Sequence, residues 1–330
     1  MRIYCPNQLD DLSATRFTND FWRARSETEL VLDFTTLSFA HPSGVMVSAL
    51  GIRDLIRQRH ALGLVTHVAG HQSMYGATSY LKFFGYFQFI GVDAGNHPNA
   101  APGSGSYLPI TRIGLEEFTA EDGVLQEQIT NHARRLASVI YPSGIDISRV
   151  DMLTFCLREI IRNSFEHAQV TECFVMAQRW SNGIAEISIA DEGVGLAQSL
   201  SQAHSIQSSR GAIRLAIKPG ISRITDPVNN DKWQNSGFGL YVVSEVGARL
   251  GSFSILSNES MLYLGNGITD WVATPSRGTI VKLRANTNDA EYFPNLLTQI
   301  VAEGERLAKE IPGARPSASK GSRTIDQVMW

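Results

Sequence analysis

The chain has 330 residues, of which 43% are hydrophobic and 18% are charged, and its formal net charge is −3. This length predicts two domains, each large enough to bury its own core. The charge balance gives no sign of general nucleic-acid binding, although it leaves a local basic patch open. We see no cationic start followed by an apolar stretch and no apolar run of the ~18 residues that a membrane span needs. We therefore expect a cytoplasmic protein that is not integral to a membrane.

The N-terminal part of the sequence alternates between strand and helix patterns. Residues 29–34 (ELVLDF) form a short apolar run typical of a buried strand, and residues 62–69 form a second. Between them, residues 45–59 carry apolar side chains at helical spacing, and a further helix is predicted over residues 76–84. This order predicts a small α/β domain with parallel strand pairing over residues 1–110.

The composition changes after residue 90. Residues 91–109 are rich in glycine, proline, asparagine and serine, which indicates a linker. A second α/β domain is predicted over residues 115–288, followed by a helix over residues 289–311. The last segment, residues 312–330, is small, basic and proline-bearing, so we expect it to be disordered.

The first of three candidate binding segments is an amphipathic helix over residues 153–168 (LTFCLREIIRNSFEHA). Its polar stripe holds Glu159 and Asn163, four residues apart, and then Glu166 and His167. An amide oxygen and a carboxylate stacked in this way can coordinate a hard cation and orient a water or hydroxyl beside it. Taken alone, such a stripe is more often a solvated helix face.

The second segment spans residues 185–196 (AEISIADEGVGL). Ile187, Ile189 and Asp191 share one strand face by the period of two, so Asp191 ends a buried strand. A carboxylate there needs a donor, and an adenine amino group would be one. Gly193 and Gly195 follow at once and permit a sharp turn and close backbone approach to a ligand. The alternative is an ordinary turn at the end of a strand.

The third segment spans residues 235–250 (NSGFGLYVVSEVGARL). A turn containing Gly237 and Gly239 opens an apolar helix, whose free N–H groups and positive dipole end can face phosphates. Alternatively, the two glycines only shape a loop. No GKS or GKT follows the turn, so the segment is not a P-loop.

Together and in this order, the three segments resemble the N, G1 and G2 boxes of the GHKL (Bergerat-fold) superfamily. This superfamily includes DNA gyrase B subunits, MutL proteins, heat-shock chaperones, histidine kinases and anti-sigma-factor serine kinases. The strand TIVKLRA, opened by Gly278 and Thr279, is similar to the closing strand of the family. The resemblance covers roughly residues 115–285. It implies an α/β sandwich with helices on one face of a mixed sheet, and ATP held between the first helix and a lid.

The resemblance also implies a role for each matching residue. Asn163 would hold Mg²⁺, and Asp191 would bind the adenine amino group. Gly237 and Gly239 would wrap the phosphates. Glu159 matches the acid that activates water or a substrate hydroxyl in the hydrolysing and serine-phosphorylating members. The other residues that match the ATP site are Gly193, Gly195, Phe238, Leu240 and Thr279.

The lid implied by the resemblance covers residues 197–234, which is longer than the ~12–15 residues of most structureless loops. One of its cations is expected to approach the γ-phosphate, and which one is left open. The candidates are Arg210, Arg214, Lys218, Arg223 and Lys232. Lid closure over ATP would be the two-state element through which the nucleotide controls a partner.

The N-terminal segment resembles a second family. ELVLDF followed by FTTLSFAHPSGVMVSALGIRDLI is similar to the STAS fold of anti-sigma-factor antagonists, which carry a strand, an Asp-Ser-Ser-Gly-like turn and a helix. Here Pro42 stands where the phosphorylated hydroxyl is expected, and His41 replaces the acid. Ser43 is left as an acceptor or, more commonly at such a turn, a helix N-cap. The resemblance implies that this domain docks a protein partner.

Three function classes remain open. In the first, ATP closes the lid, changes the arrangement of the two domains and so controls a partner, as a regulatory ATPase. In the second, the chain is a protein serine/threonine kinase resembling anti-sigma factors. In the third, it is a nucleotide-gated binding module without significant turnover. Glu159 serves both catalytic mechanisms, and we prefer the regulatory ATPase, with ATP and Mg²⁺ as cofactors. A homodimer is left open, because GHKL proteins often dimerise.

Overall fold

The computed structural model describes residues 1–101, 103–118, 124–141, 147–222, 236–288 and 293–323. The N-terminal half contains β1 (Arg2–Tyr4), β2 (Gln8–Leu9), α1 (Asp11–Arg23), β3 (Glu29–Asp33), β4 (Phe39–Ala40), α2 (Pro42–Ala61), β5 (Val65–Ala69), α3 (Gly76–Phe83) and α4 (Tyr86–Phe89). The C-terminal half contains β6 (Tyr107–Gly114), a 3-10 turn (Leu115–Glu117), α5 (Val124–Ile140), α6 (Ile147–His167), β7 (Glu172–Arg179), β8 (Ile184–Asp191), α7 (Gly195–Leu200), α8 (Ser209–Ala216), α9 (Gly239–Leu250), β9 (Gly251–Ser257), β10 (Ser260–Gly265), β11 (Ile268–Ala273), β12 (Thr279–Asn286), α10 (Phe293–Ala308) and α11 (Lys320–Arg323).

The N-terminal half is built on a small parallel sheet in the order β1-β3-β5. Leu32 in β3 pairs with Ile3 in β1 and with Val68 in β5. Because side chains alternate along a strand, Leu30 and Leu32 both enter the core, where they are fully buried. Helix α2 connects β3 to β5 through the crossover that parallel strands require. The predicted α/β class and the parallel pairing of this half are therefore confirmed.

The C-terminal half is built on a large sheet. Among the described residues this sheet has seven strands in the order β11-β10-β9-β12-β8-β7-β6, and every neighbouring pair is antiparallel. The expectation of a mixed sheet is therefore wrong. The reason lies in the connections, because residues 180–183, 258–259 and 266–267 join successive strands as hairpins, which allow only antiparallel pairing.

Both faces of the large sheet are covered. Helices α5, α6 and α9 pack on one face, and α2 of the N-terminal half packs on the other against β7, β8 and β12. Along β8, Ile187 and Ile189 belong to the core under the helices, whereas Ala190 belongs to the core of the N-terminal half. The expectation of helices on one face only needs correction, since strands that are apolar on both sides must be buried on both.

The edge strand β6 begins within the predicted linker. The sequence predicts a linker up to residue 109 and a first domain up to residue 110. Instead, β6 pairs with β7 at the edge of the large sheet. Its side chains join both cores, with Ile113 under the helices and Ile110 in the core of the N-terminal half.

The C-terminal segment differs from its prediction as well. The predicted helix over residues 289–311 is observed as α10, with residues 289–292 outside the described residues. Residues 312–323, which we expected to be disordered, form turns and α11, and both Ala318 and Ser322 are buried. Residues 324–330 lie outside the described part. In the described residues, no helix combines the length and apolar character that crossing a bilayer requires.

Candidate functional site

A cavity lies between α6, the end of β8 and the start of α9, where the three predicted segments meet. The predicted site residues that line it are Asn163, Asp191, Gly195, Gly237, Gly239, Leu240 and Thr279. Further wall residues come from α7, α8 and the chain that follows α8: Ser199, Leu200, Ala216, Ile221 and Ser222. The cavity has a volume of about 70 Å³.

Asp191 ends β8 and is 4% exposed. Its Oδ1 accepts hydrogen bonds from the backbone N–H groups of Gly193 (3.0 Å) and Thr279 (3.2 Å), and its Oδ2 accepts one from Ser164 Oγ (3.3 Å). Burial raises the pKa of Asp191 to about 6, although these hydrogen bonds act to lower it. An ionised carboxylate has about four acceptor positions. Asp191 therefore keeps capacity for one more donor from the cavity.

The polar stripe of α6 divides between the cavity and the core. Asn163 and His167 line the cavity, whereas Glu159 is fully buried and does not. Glu159 Oε1 accepts hydrogen bonds from Arg158 Nε (3.1 Å) and Nη2 (2.9 Å). Its Oε2 lies 2.8 Å from Arg162 Nη2. The acid that matches the family's catalytic position is thus held by two arginines in this structure.

The ion cluster around Glu159 lies directly under the start of α9. A Cβ built on Gly239 would lie 2.1 Å from Glu159 Oε2 and 3.4 Å from Arg162 Nη2. A side chain at this position would therefore require the Glu159 carboxylate to shift. The sequence prediction placed candidate cations only in the lid, and it did not include Arg158 and Arg162, which pair with Glu159. The signal was available, because Glu159, Arg162 and Glu166 follow each other at the helical spacing of ion pairs.

The glycines after Asp191 approach the protein's own chain. A Cβ on Gly193 would lie 2.2 Å from Ala168 O, and a Cβ on Gly195 would lie 2.3 Å from Asn258 Oδ1. The sequence predicts these glycines at a close approach to a ligand. The structure shows them where the turn packs against the end of α6 and against Asn258, and Gly195 also lines the cavity. Their close packing fixes Asp191 relative to α6.

Some of the residues assigned from the G2 box and the closing strand line the cavity, and one does not. Leu240 and Thr279 line the cavity, and Thr279 Oγ1 lies 3.1 Å from Ser257 Oγ. Phe238 is fully buried under the helices, edge-on to Tyr241 with 6.4 Å between ring centroids. Phe238 therefore supports the start of α9 from the core and does not line the cavity.

The described part of the predicted lid contains α8 and most of α7. The guanidiniums of Arg210 and Arg214 lie over the ring of Trp271, at 4.6 and 5.3 Å from its centroid. Lys218 is exposed, and Arg223 and Lys232 lie outside the described residues. Among the described lid residues, no cation lines the cavity.

Ser43, the candidate acceptor in the N-terminal half, is 2% exposed. Its N–H and Oγ both donate to Glu186 Oε1, at 3.0 and 2.7 Å. Burial acts to raise the pKa of Glu186, but His41, Lys282 and Ser43 hold it below its usual value. Glu186 thus caps the N-terminus of α2 from β8, a contact between residues 143 positions apart that no local pattern reveals.

A second contact links the cavity region to α2. Glu192, which directly follows Asp191, pairs with Arg53 Nη2 and with Arg57 Nη2, both at 2.9 Å. The guanidinium of Arg53 also lies 4.5 Å from the centroid of the Phe89 ring. Two adjacent residues therefore face different partners, since Asp191 lines the cavity and Glu192 binds α2 of the N-terminal half.

Comparison with known proteins gives no assignment. No family model matches the chain, and no curated protein matches it significantly.

Proposed function

We propose that the cavity binds an adenine nucleotide with Mg²⁺ and that the chain works as an ATP-dependent regulatory switch. The observation that carries this proposal is the meeting of Asn163, Asp191 and the turn at residues 237–239 in one cavity, although they are far apart in the sequence. Their order along the chain and their proximity in space both agree with the resemblance to the GHKL boxes.

The chemistry of the cavity suits a purine base. The amino group of adenine is a donor, and Asp191 is a buried acceptor with capacity to spare. Around it the cavity presents apolar side chains from three strands and from helices: Ile160, Ile189, Leu240, Ile255 and Val281. Small-molecule sites commonly combine an apolar lining with a few fixed polar groups.

Asn163 is the residue that would hold Mg²⁺, through its side-chain oxygen. Mg²⁺ is usually bound by one or two protein oxygens together with phosphate oxygens and waters. When bound, the ion neutralises charge on the phosphates. The first N–H groups of α9, next to Gly239, are the donors for the phosphate oxygens.

The contacts between β8 and α2 support a regulatory role. Glu186 and Glu192 lie on and just after the strand that carries Asp191, and both bind α2. A shift at the end of β8 therefore reaches α2 through charged contacts. Since a shared apolar core joins α2 to the sheet, we expect small displacements of α2 and not separation of the halves. The N-terminal half is then the part that presents the change to a protein partner.

The position of Glu159 favours a second candidate, a nucleotide-gated binding module without significant turnover. A general base has to reach the proton that it removes, directly or through one water. Glu159 is paired with Arg158 and Arg162 and does not line the cavity. Hydrolysis would require Glu159 to leave these arginines when the nucleotide is bound.

Labelled ATP distinguishes these functions. We would follow γ-labelled ATP with Mg²⁺ over the wild type, Glu159→Gln and Asn163→Ala, with equilibrium binding measured in parallel. We expect Asn163→Ala to lose about tenfold or more of its Mg²⁺-dependent affinity, the loss of roughly one charge-assisted contact. Phosphate release that disappears in Glu159→Gln, with binding kept, supports the ATPase. Binding without release supports the binding module, and label on a protein supports a kinase. A wild type that binds no nucleotide contradicts the proposal.

Nucleotide affinity should depend on the protonation of Asp191. Its folded pKa of about 6 lies above the ordinary 3.8, so the stability that its protonated form contributes is present below about pH 4 and is lost as the pH rises through 6. A donor in the cavity needs the ionised form. We therefore expect adenosine affinity to rise with pH through about 6, measured by calorimetry. Adenosine avoids the titration of the phosphates, and Asp191→Asn should show no such rise.

A further inference from the structure

The chain after α10 returns to the edge of the cavity, and we call residues 313–323 the strap. Arg315 N donates to Gly220 O (2.8 Å), and Gly220 N donates in turn to Gly237 O (3.1 Å). A Cβ on Gly220 would lie 2.3 Å from Arg315 O, and a Cβ on Gly237 would lie 2.4 Å from Ile221 O. Three backbone segments are thus in direct contact, and the innermost residue, Gly237, lines the cavity.

A cluster of hydroxyls forms the second contact of the strap. Ser236 Oγ lies 3.3 Å from Ser319 Oγ and 3.3 Å from Ser322 Oγ. Ser236 is 4% exposed and Ser322 is fully buried. Because Ser236 directly precedes Gly237, the strap holds the turn before α9 through a side chain as well as through the backbone.

The third contact reaches the charges under α9. Arg158 Nη2 donates to Gly321 O, and the same guanidinium binds Glu159. Glu159 in turn lies against Gly239. The strap therefore contacts the turn at residues 236–239 directly at Ser236 and, near Gly239, through Arg158 and Glu159. The proposed phosphate donors lie at the second of these places.

The carboxylate of Glu305 on α10 binds the strap. Glu305 Oε1 accepts a hydrogen bond from Ala318 N (2.9 Å) and pairs with Arg323 Nη2. Arg323 Nε also donates to Ala318 O (3.0 Å). Glu305 does not line the cavity. It therefore offers a way to loosen the strap without changing the proposed nucleotide site.

The small size of the cavity suggests a role for the strap. The cavity of about 70 Å³ is well below the roughly 300–1,000 Å³ of small-molecule sites. A nucleotide therefore needs a displacement of the wall, and the strap is bonded to Gly220, which is bonded in turn to the wall residue Gly237. We propose, on the basis of the proposed function, that the strap is an autoinhibitory element that must loosen before nucleotide binds. By linkage, bound nucleotide loosens the strap in return.

The test compares two glutamates on α10. Glu305→Ala removes the anchor of the strap, whereas Glu303→Ala removes a carboxylate that pairs with Arg306 on the same helix and is 45% exposed. The probe is N-methylanthraniloyl-ATP with Mg²⁺, followed by stopped-flow fluorescence. We expect association about tenfold faster in Glu305→Ala than in the wild type, the factor for roughly one charge-assisted hydrogen bond. Glu303→Ala should match the wild type, and circular dichroism checks that both variants are folded.

Hydrogen exchange over residues 313–323 supplies a second readout. We expect exchange there to increase in the wild type when ATP and Mg²⁺ are added. Equal association rates in all three proteins, or hydrogen exchange that does not change with nucleotide, overturn the proposed inhibitory role of the strap. Neither result contradicts the proposed nucleotide site. If neither the wild type nor either variant binds the probe, the nucleotide proposal itself fails, and the strap as its inhibitor fails with it.

Discussion

Asp191→Asn is expected to lower the affinity for adenine nucleotide by about 30- to 100-fold, or roughly 2–3 kcal/mol. The amide can keep the existing contacts, with its oxygen accepting from Gly193 N and Thr279 N and its NH₂ group donating to Ser164 Oγ. It then presents no second acceptor oxygen to the amino group of adenine. The side chain that binds the base is thereby replaced while the turn that positions it is retained.

The same substitution should leave the fold intact or more stable at neutral pH. Burial raises the pKa of Asp191 to about 6, so ionising this carboxyl costs more in the folded chain than in the unfolded chain, and a neutral amide removes that cost. Calorimetry with ATP and Mg²⁺ and urea unfolding would measure the two effects. Glu192→Gln is the matched control, because it neutralises the adjacent carboxylate, which does not line the cavity. Unchanged affinity in Asp191→Asn would show that Asp191 does not bind the base.

The meeting of the three segments could be predicted because each contains a short-range pattern with one geometric meaning. The period of two along β8 places Asp191 on the same face as Ile187 and Ile189, and these two residues are buried under α6 and α9. The turn at residues 237–239 opens an apolar helix, which has to bury its apolar face, and here it does so on the same sheet. Local pattern and shared core together bring distant segments to one cavity.

The state of Glu159 could not be predicted from the same patterns. Helical spacing correctly places it on one stripe with Asn163, but a stripe does not say which member faces a cavity and which faces a neighbouring helix. That depends on α9 crossing over Gly239 and on the two flanking arginines. The strap is a similar case, because its contacts join residues such as Arg158 and Gly321, 163 positions apart.

Helix α1 is absent from the sequence prediction, although the sequence contains a local signal for it. Asp10 accepts a hydrogen bond from Ser13 N while the Ser13 hydroxyl accepts one from Asp10 N, which is a capping box. Phe17 and Phe21 follow at helical spacing, and both are buried. These residues specify a helix start and an apolar face without any tertiary information.

Lys282→Met is expected to destabilise the protein by about 3–5 kcal/mol. Lys282 lies on β12 and is 4% exposed, and its Nζ is 2.7 Å from Asp11 Oδ2 on α1. The same oxygen accepts a hydrogen bond from Ser254 Oγ (2.8 Å), and Lys282 Nζ lies 4.9 Å from the centroid of the Tyr263 ring. Methionine fills the space of the lysine stem but leaves the Asp11 carboxylate buried with a hydroxyl as its remaining named donor.

The double variant Asp11→Asn, Lys282→Met should recover most of that loss, because position 11 then carries no charge and Ser254 can still donate to the amide oxygen. Glu186, which also feels the charge of Lys282, keeps His41 and Arg284 as partners. Arg284→Met is the matched control, two residues along the same strand. Its guanidinium is 37% exposed and lies 3.6 Å from Glu186 Oε2, so we expect a loss of about 1 kcal/mol or less. Urea unfolding gives all four values. If Lys282→Met loses no more free energy of unfolding than Arg284→Met, the buried Asp11 carboxylate does not need Lys282 as its partner. A large loss that the double variant reverses would show that the cost comes from the buried Asp11 carboxylate left without its cation, and not from lost packing of the lysine stem.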